Sequence, residues 1–365
     1  MRRFVYAVGL VPQLPLVWGL GHAFGHMWMF AVAGALLSVP FLTVYHDPFD
    51  ERPRSAFFRH ALLTPFYVWW TAAMVFLVAS PLTLVGHAVF GETGLSVGLG
   101  LSFLAGLAGA LNEPRLVEHD IEVPGLPKEL DGYRIAQISD IHCGAFTPPD
   151  RVRRWVDRLN AAKPDLVAVT GDLITSGDRY TEVIAEVLGG LRGRDGVFMC
   201  MGNHDYFTDG DVFADQLSTA GLQVLRNDST VIRRNGAVLF VAGVDDTWTG
   251  RADLEETLSK RPEGASVLLL AHDPNSFPEA ASEGVHLTLS GHTHGGQIAV
   301  PGFSKRLTPA RLITRFPAGF YRQGDSTLYV SCGAGTTGPP VRIGARAELT
   351  VLTLRSPRAP HPKKA

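Results

Sequence analysis

Cysteine and charge are both scarce in this sequence. Its 365 residues include three cysteines, Cys143, Cys200 and Cys332, and an odd number without paired spacing argues against a disulfide framework. One bridge could still form, but a reducing compartment is the simpler interpretation. Charged residues make up 19% of the chain and the formal net charge is −2, so no cationic excess marks a general nucleic-acid binder. A charge content this low is typical of a protein with a membrane-embedded part.

Charge is scarcest in the first third of the chain, where long apolar runs dominate. Four runs predict membrane-spanning helices: Phe4–Leu20, Phe30–Tyr45, Leu62–Leu82 and Leu95–Leu111. The third run has the length of about 20 residues that the hydrocarbon core requires, whereas Pro12 and Pro15 interrupt the first. A buried soluble helix is the alternative for any single run, but four in succession favour the membrane. We therefore expect a transmembrane region of about four helices over residues 1–114.

The arginines that flank these runs predict an orientation. They precede the first run, lie between the second and third, and follow the fourth: Arg2, Arg3, Arg52, Arg54, Arg59 and Arg115. The two other connections carry no Lys or Arg. The positive-inside rule then gives a multi-pass protein of the cell inner membrane with the rest of the chain in the cytoplasm. A twin-arginine export signal at Arg2–Arg3 is the alternative, but the surrounding residues do not support it strongly.

From about residue 115 the pattern changes to short apolar strands that alternate with polar helices. Helices are predicted over Pro148–Lys163 and Thr181–Leu191. Eight strands are predicted, over residues 133–140, 165–172, 196–203, 237–243, 266–272, 285–291, 327–335 and 348–354. Near-continuous apolar strands with intervening helices indicate an α/β domain whose sheet is covered on both faces. We place this domain at 115–355 and expect a disordered basic tail at 356–365.

Five of the predicted strands end in polar side chains that bind metals. The residues are Asp140 and His142, then Asp172, then Asn203, His204 and Asp205, then His272, and finally His292 and His294. The carboxyl ends of strands in an open α/β sheet form the crevice where ligands bind, so we expect these side chains to converge. Residues two apart in extended chain point to one side, so Asp140 and His142 can reach one ion, and His292 and His294 can reach one site.

Each of these motifs is weak alone. An Asp-x-His sequence is usually a turn or a surface pair, and a lone histidine such as His272 is more often a hydrogen-bonded core residue. The joint occurrence decides the interpretation, because all five segments follow apolar strands and five of the thirteen histidines lie within them. Cys143 directly follows His142 and is expected to pack on the opposite side.

The order "SDIHCG", "GDL", "GNHD", "AHDP" and "GHTHGG" resembles the calcineurin-like metallophosphoesterases, from about Tyr133 to Leu354. The stretches "GHTHGGQI", "VAGVDDTW" and "CGAGTTGPPVRIGARAELTVLTL" are more particularly similar to a membrane-associated bacterial branch. That branch includes the YkuE-like and YaeI-like phosphoesterases and the UDP-2,3-diacylglucosamine pyrophosphatase. The resemblance implies a β-sandwich flanked by helices. It also implies hydrolysis of a phosphate ester or pyrophosphate bond by a hydroxide that bridges two metal ions.

The resemblance also implies individual roles. Asp140, His142, Asp172 and His294 would bind one metal, and Asp172 would bridge to a second one held by Asn203, His272 and His292. Such oxygen and imidazole ligands suit divalent Mn, Fe, Co or Zn, with Mn expected to serve best in vitro. His204 would face the substrate as a catalytic residue, and Asp205 would orient it by accepting a ring N–H. A cap for the helix that follows is the alternative role for Asp205.

Two functions from different classes remain open. The first is a membrane-anchored phosphoesterase whose substrate is a lipid-bearing phosphate or pyrophosphate, such as UDP-2,3-diacylglucosamine. The second is a membrane transport or signalling protein that a phosphoesterase domain regulates, although no charged residue lies well inside any span. A nuclease lacks the expected basic surface. The basic helix that contains Arg151, Arg153, Arg154 and Arg158 is a solvated face or, alternatively, a contact with anionic lipid headgroups.

Overall fold

The computed structural model describes residues 9–45, 55, 57–110, 113–144, 146–303, 305–338 and 340–357. The chain divides into two compact units. The first unit comprises Met1–Asn112 and Gly338–Ile343, and the second comprises Glu113–Thr337 and Gly344–Ala365. The segment Gly338–Ile343 therefore departs from the predicted boundaries, because it belongs to the helical unit, where the Arg342 N–H donates to the Gly109 carbonyl oxygen at 3.1 Å. Residues 358–365, most of the predicted tail, lie outside the described residues.

The first unit is helical. Its helices are α1 (Gln13–Phe24), α2 (Met27–Tyr45), α3 (Thr64–Phe90) and α4 (Glu92–Ala110), and a π-helix at Phe58–Leu63 leads into α3. Leu16, Phe76, Leu95 and Leu99 form its buried core. The buried Gln13 side chain links three helices, since it donates to Ser38 at 3.0 Å and accepts from the Trp69 indole at 2.9 Å.

Two of the described helices are long and apolar enough to cross a membrane, Ala61–Phe90 and Glu92–Gly109. The predicted region of four transmembrane helices is therefore not supported in full. The apolar helix over Met27–Leu42 is shorter than the other two. Helix α1 has 12 residues and is about 18 Å long at 1.5 Å per residue, against a hydrocarbon core of about 30 Å. The first part of the predicted span Phe4–Leu20 lies outside the described residues.

The second unit is built on two six-stranded sheets. The strands are β1 (Arg115–Glu122), β2 (Arg134–Ile138), β3 (Leu166–Thr170), β4 (Gly196–Cys200), β5 (Gln223–Val224), β6 (Asp228–Arg234), β7 (Ala237–Gly243), β8 (Ser266–Leu270), β9 (Leu287–Ser290), β10 (Gly319–Gln323), β11 (Ser326–Val330) and β12 (Glu348–Arg355). Their order is β1-β12-β2-β3-β4-β5 in one sheet and β10-β11-β9-β8-β7-β6 in the other. Strands β2, β3 and β4 run parallel to one another, and so do β7, β8 and β9. The carboxyl ends of the strands in each set therefore lie on the same side of the sheet.

The two sheets pack face to face. A buried cluster between them contains Ile135, Leu166 and Phe198 from one sheet and Leu268 and Leu289 from the other. The strand pattern alone predicted a sheet that is covered on both faces, which holds for each sheet, but it did not predict that one of these faces is covered by a second sheet. A strand face covered by a second sheet is as apolar as one covered by helices, so the two arrangements give the same sequence pattern. The β-sandwich that the family resemblance implied is confirmed.

Helices cover the outer faces of the sandwich: α5 (Pro149–Ala161), α6 (Thr181–Leu188), α7 (Gly210–Thr219), α8 (Leu254–Leu258) and α9 (Phe277–Ser282). Helix α5 shows why the sequence folds in this way. Its Val152, Trp155, Val156 and Leu159 follow the helical spacing and are buried, and Pro149 at its first turn needs no hydrogen-bond partner for a backbone N–H. The opposite face of α5 carries the arginines.

Candidate metal centre

The polar residues predicted from the five strand ends lie together in the second unit. Strands β2, β3 and β4 are neighbours in one sheet and β8 and β9 are neighbours in the other, so the packed sheets bring five connecting loops to one edge. Six of the seven predicted ligands fall into two groups whose ligand atoms lie within 4.8 Å of one another. Asn203 lies beside the second group, with its side-chain oxygen 3.0 Å from His292 Nδ1. The structure therefore brings all seven residues together.

The first group consists of Asp140, His142, Asp172 and His294, all of which are buried. The Nε2 atoms of His142 and His294 lie 3.0 Å apart. His142 Nε2 is 3.5 Å from the Asp172 carboxylate, and His294 Nε2 is 3.4 Å from the Asp140 carboxylate. Four donor atoms from three loops thus surround one small space.

The second group consists of Asp172, His272 and His292. His272 Nε2 is 3.2 Å from the Asp172 carboxylate and 3.2 Å from His292 Nδ1. The Nδ1–H of His272 donates to the Thr170 carbonyl oxygen at 2.7 Å, which leaves Nε2 as the ligand atom. Asp172 belongs to both groups, so the two groups share its carboxylate.

The backbone of these loops is unusual. Ten described residues other than glycine have positive φ, and five of them are predicted ligands: Asp140 (52°), His142 (47°), Asp172 (56°), His292 (70°) and His294 (51°). Left-handed backbone costs such a residue about 1–2 kcal/mol, and conformations of this kind cluster at functional sites. The prediction that extended chain directs these side chains is therefore wrong. Asp140 and His142 do share a group, but His292 and His294 enter different groups from a turn.

Glycines let the loops approach one another closely. A side chain at Gly202 would overlap the Asp172 carboxylate, and one at Gly291 would overlap Ser139 and Asp140. A Cβ atom at Gly333 would lie 2.6 Å from the Cβ of Asp140. The predicted metal-binding motifs contain Gly202 and Gly291, whereas Gly333 lies in the turn after β11, outside those motifs.

The charges of the centre depend on one another. Burial alone would raise the pKa of Asp172, but the surrounding imidazoles, His272 first, hold it well below its usual range. Burial would lower the pKa of His272, but the Asp172 carboxylate outweighs this effect and raises the pKa to about 10. Burial and the charge on His272 lower the pKa of His292 to about 4. His292 is therefore a neutral ligand at pH 7, whereas a cation beside Asp172 must displace the proton of His272.

The donor set fits divalent metal ions. Ligand atoms about 2.0–2.2 Å from one ion lie about 3.0–3.5 Å apart at tetrahedral or octahedral angles, which matches the separations given above. Two carboxylates, four imidazoles and one amide suit borderline divalent ions. No cysteine belongs to either group, and Cys143 packs in the buried core as predicted.

His204 lies beside the first group, with its ring 4.6 Å from that of His142. The prediction that Asp205 accepts a ring N–H from His204 is wrong. His204 Nδ1 instead donates to the Thr175 carbonyl oxygen at 2.7 Å, which leaves Nε2 for other partners. The sequence missed this contact because a backbone carbonyl leaves no signal in the residue types.

The buried Asp205 carboxylate stabilises two loops. It accepts three backbone N–H groups, from Asp172 at 3.0 Å, Leu173 at 2.7 Å and Gly202 at 2.9 Å. The bond from Gly202 caps the 3-10 turn Asn203–Tyr206, which contains Asp205 itself. The helix that follows, α7, is capped by Asp209, so the alternative role of Asp205 as a cap of the following helix is not supported. The other two bonds hold the backbone of the residue that both ligand groups share.

Two exposed aromatic rings border the centre. Trp248 is 59% exposed and its ring centroid lies 5.0 Å from that of His292. Phe207 is 48% exposed and its ring lies 4.7 Å from that of His204. The centre therefore opens between apolar surfaces that solvent reaches.

A packed α/β sandwich with carboxylate and imidazole ligands from both sheets at one edge has the architecture of a metal-dependent phosphoesterase. The sequence model of the calcineurin-like phosphoesterase family matches residues 133–296. The chain is 34% identical over 253 residues to the metallophosphoesterase YkuE of Bacillus subtilis, an alignment that covers 67% of this chain and 87% of that protein. It is 32% identical over 265 residues to a metallophosphoesterase of Aquifex aeolicus, with 69% and 98% covered.

A third relative is a Danio rerio protein named as a transmembrane protein with a metallophosphoesterase domain. It is 33% identical over 264 residues, and the alignment covers 68% of this chain but 59% of that protein. The chain belongs to the calcineurin-like phosphoesterase family. It is a metal-dependent phosphoesterase, as the sequence predicted.

Proposed function

We propose that the protein is a membrane-anchored phosphoesterase that uses two divalent ions to hydrolyse a phosphate ester or pyrophosphate bond. The observation that carries this proposal is the position of Asp172, which lies in both ligand groups. Asp140, His142 and His294 would complete one site with it, and Asn203, His272 and His292 would complete the other. A shared carboxylate sets two ions close enough to act on one phosphate.

The ions would supply an activated water as nucleophile and would neutralise the phosphate oxygens. The protein's own residues supply the remaining steps. In its doubly protonated form His204 would donate the Nε2 proton to the leaving oxygen, while the Thr175 carbonyl oxygen holds its Nδ1–H and orients the ring. Asp205 would act as a positioning residue through the backbone N–H groups of Asp172 and Leu173.

The membrane anchor is supported by the first unit. Helices α3 and α4 have the length and composition of membrane spans, and large apolar side chains such as Val78, Leu82 and Phe90 are exposed on α3. The Danio rerio relative is named as a transmembrane protein. If the connections that carry arginine lie in the cytoplasm, as the positive-inside rule indicates, the second unit would also lie on the cytoplasmic side of the inner membrane.

An amphiphilic substrate fits this location. The exposed rings of Trp248 and Phe207 beside His292 and His204 would contact an apolar or aromatic part of a phosphate ester. A lipid-linked pyrophosphate such as UDP-2,3-diacylglucosamine is the concrete case that the similarity of the motifs suggests. The protein's partners would then be the bilayer and a phosphorylated lipid, and not nucleic acid.

The test is turnover by the purified full chain in detergent with Mn²⁺, Fe²⁺, Co²⁺ or Zn²⁺. The substrates are p-nitrophenyl phosphate, its bis-ester and a UDP-linked acyl sugar. We expect metal-dependent hydrolysis that is highest for the acyl sugar and absent in Asp172→Asn, whereas Asp215→Asn, an exposed aspartate of α7, keeps full activity. Metal binding without turnover of any substrate would contradict the proposal and favour a regulatory domain of a transport or signalling protein.

A further inference from the structure

The segment that follows the candidate ligand His294 has a one-sided charge. From Gly284 to Gly324, 41 residues, the sequence contains no Asp or Glu but five cations. The cations are Lys305, Arg306, Arg311, Arg315 and Arg322. We refer to Gln297–Ala318, which connects the turn after β9 to β10 and holds the first four of these cations, as the rim loop. Its composition differs from that of the whole chain, whose charges nearly balance.

The rim loop also exposes large apolar side chains. Phe303 is 56% exposed, Leu307 55%, Leu312 89% and Ile313 51%. These four are half of the eight large apolar residues that are exposed in the described part of the second unit. Four exposed apolar side chains thus lie within 11 residues, and exposed apolar surface concentrated in this way marks interaction sites.

The cations of the rim loop are not neutralised by the fold. Lys305, Arg306, Arg311 and Arg315 are exposed, and none forms an ion pair with a carboxylate of the residues that the structure describes. Helix α5, the basic segment that the sequence offered as a lipid contact, differs at two of its four arginines. Its Arg151 pairs with Glu113 at 3.0 Å and its Arg153 pairs with Glu186 at 3.3 Å.

The base of the rim loop is fastened to the candidate metal centre. The Thr308 hydroxyl donates to the Gly295 carbonyl oxygen at 3.1 Å, and the Thr293 hydroxyl donates to the Pro317 carbonyl oxygen at 2.7 Å. The loop is also closed on itself, since the Val300 N–H donates to the Leu307 carbonyl oxygen at 3.0 Å. A surface that binds the rim loop is therefore held close to His292 and His294.

We propose that the rim loop docks the second unit onto an anionic lipid surface. Its apolar side chains would enter the boundary between headgroups and acyl chains, and its cations would contact lipid phosphates. Charge complementarity selects this occupant, because an acid-free cationic loop with exposed Leu and Phe side chains matches an anionic lipid leaflet. The consequence, that the metal centre faces phosphates carried by lipids, rests on the proposed function. The docking itself does not.

The test uses the full chain reconstituted in vesicles of phosphatidylcholine alone or with about one third phosphatidylglycerol. A bimane label is attached to Leu312→Cys in a Cys332→Ser background, in which the remaining cysteines are buried. Quenching of the label by lipids that carry a spin label in the acyl chain reports how deeply it enters the bilayer. Val231→Cys, an exposed apolar residue of β6, is the matched control. We expect quenching at position 312 in the anionic vesicles that is severalfold greater than in neutral vesicles or at position 231.

A charge reversal tests the electrostatic part. One basic residue near an anionic surface strengthens binding by about fivefold, so Arg315→Glu should lower the quenching at position 312 to near the level of neutral vesicles. Arg233→Glu makes the same change at an exposed arginine of β6 and should leave the quenching unchanged. Equal quenching at positions 312 and 231, or in both kinds of vesicle, would overturn the proposal. The measurement needs no turnover, so its failure is distinct from failure of the phosphoesterase proposal.

Discussion

Replacing Asp205 with asparagine separates the role that the structure gives this residue from the role that the sequence suggested. In the structure one carboxylate oxygen accepts the N–H groups of Asp172 and Gly202, and the other accepts the N–H of Leu173. Asparagine keeps the size but can accept at only one of these two positions. Its NH2 group must therefore face at least one backbone N–H, and that donor loses its partner.

The cost follows from burial. A buried N–H without a partner costs about 1–3 kcal/mol. The loss is partly offset, because burial and the nearby charge of Asp172 disfavour the charged form of Asp205 and raise its pKa to about 7. We expect Asp205→Asn to lower the free energy of unfolding of the second unit by about 1–2 kcal/mol. The backbone of Asp172 would also shift, so we expect metal content and kcat to fall together.

The assay is urea unfolding followed by near-UV circular dichroism, together with metal content by mass spectrometry on the same preparation. Asp209→Asn is the matched control, because this exposed carboxylate accepts N–H groups of Asp211 and Val212 at the start of α7. We expect it to change stability by less than about 1 kcal/mol and to keep the metals. An Asp205→Asn variant with normal stability and metal content but a shifted pH profile of kcat would refute the reasoning and restore the orientation of His204 as its role.

Two further predictions concern the histidines. His204→Ala should lower kcat by about 10²- to 10⁴-fold while metal content stays unchanged, because the His204 ring lies beside the ligands without belonging to either group. Loss of both metals from this variant would contradict the role given to His204. Burial and the charge of Arg261 lower the pKa of His286, whose Nδ1 accepts the Val267 N–H at 3.1 Å. The folded protein therefore favours neutral His286. This preference adds to the free energy of unfolding above about pH 6.5, the pKa of histidine in the unfolded chain, and it is lost as the pH falls through the lower pKa of His286 in the folded protein. His286→Asn should flatten the decline in unfolding free energy below pH 6.5, and equal slopes in the two proteins would exclude the effect.

The strands that the sequence predicted are the eight interior strands of the two sheets, and the four that it missed are all edges. Interior strands such as β3 and β8 are buried on both faces and read as apolar runs. The missed edges, β1, β5, β6 and β10, are partly exposed and carry polar residues, as in "RLVEHDIE" for β1. Strand β1 also pairs with β12 across more than 200 residues, which no local pattern reveals.

The candidate metal centre was also predictable only in part. Residue types and their positions after strands indicated that nine polar side chains would converge, because the chemistry of metal binding restricts the choice to a few side chains. The family resemblance then separated the seven candidate ligands from His204 and Asp205. The geometry was not predictable in the same way. Positive φ at Asp140, His142 and Asp172, and the carbonyl oxygens of Thr170 and Thr175, depend on backbone conformation, which residue types do not specify.

The predicted transmembrane region agrees less well with the structure, for a different reason. The long apolar runs do form helices, and the third and fourth became α3 (Thr64–Phe90) and α4 (Glu92–Ala110). Hydropathy, however, gives the length of a run and not where the helix begins. Helix α1 begins at Gln13, whose side chain is buried against Ser38 and Trp69, and it is too short to cross a bilayer on its own.

The most direct test of the two-metal centre is anomalous diffraction from crystals of the full chain grown with Mn²⁺ and measured above and below the manganese absorption edge. We expect two anomalous peaks about 3.5–4 Å apart on either side of the Asp172 carboxylate, one beside Asp140, His142 and His294 and the other beside Asn203, His272 and His292. A single peak, or peaks that do not contact Asp172, would contradict the account.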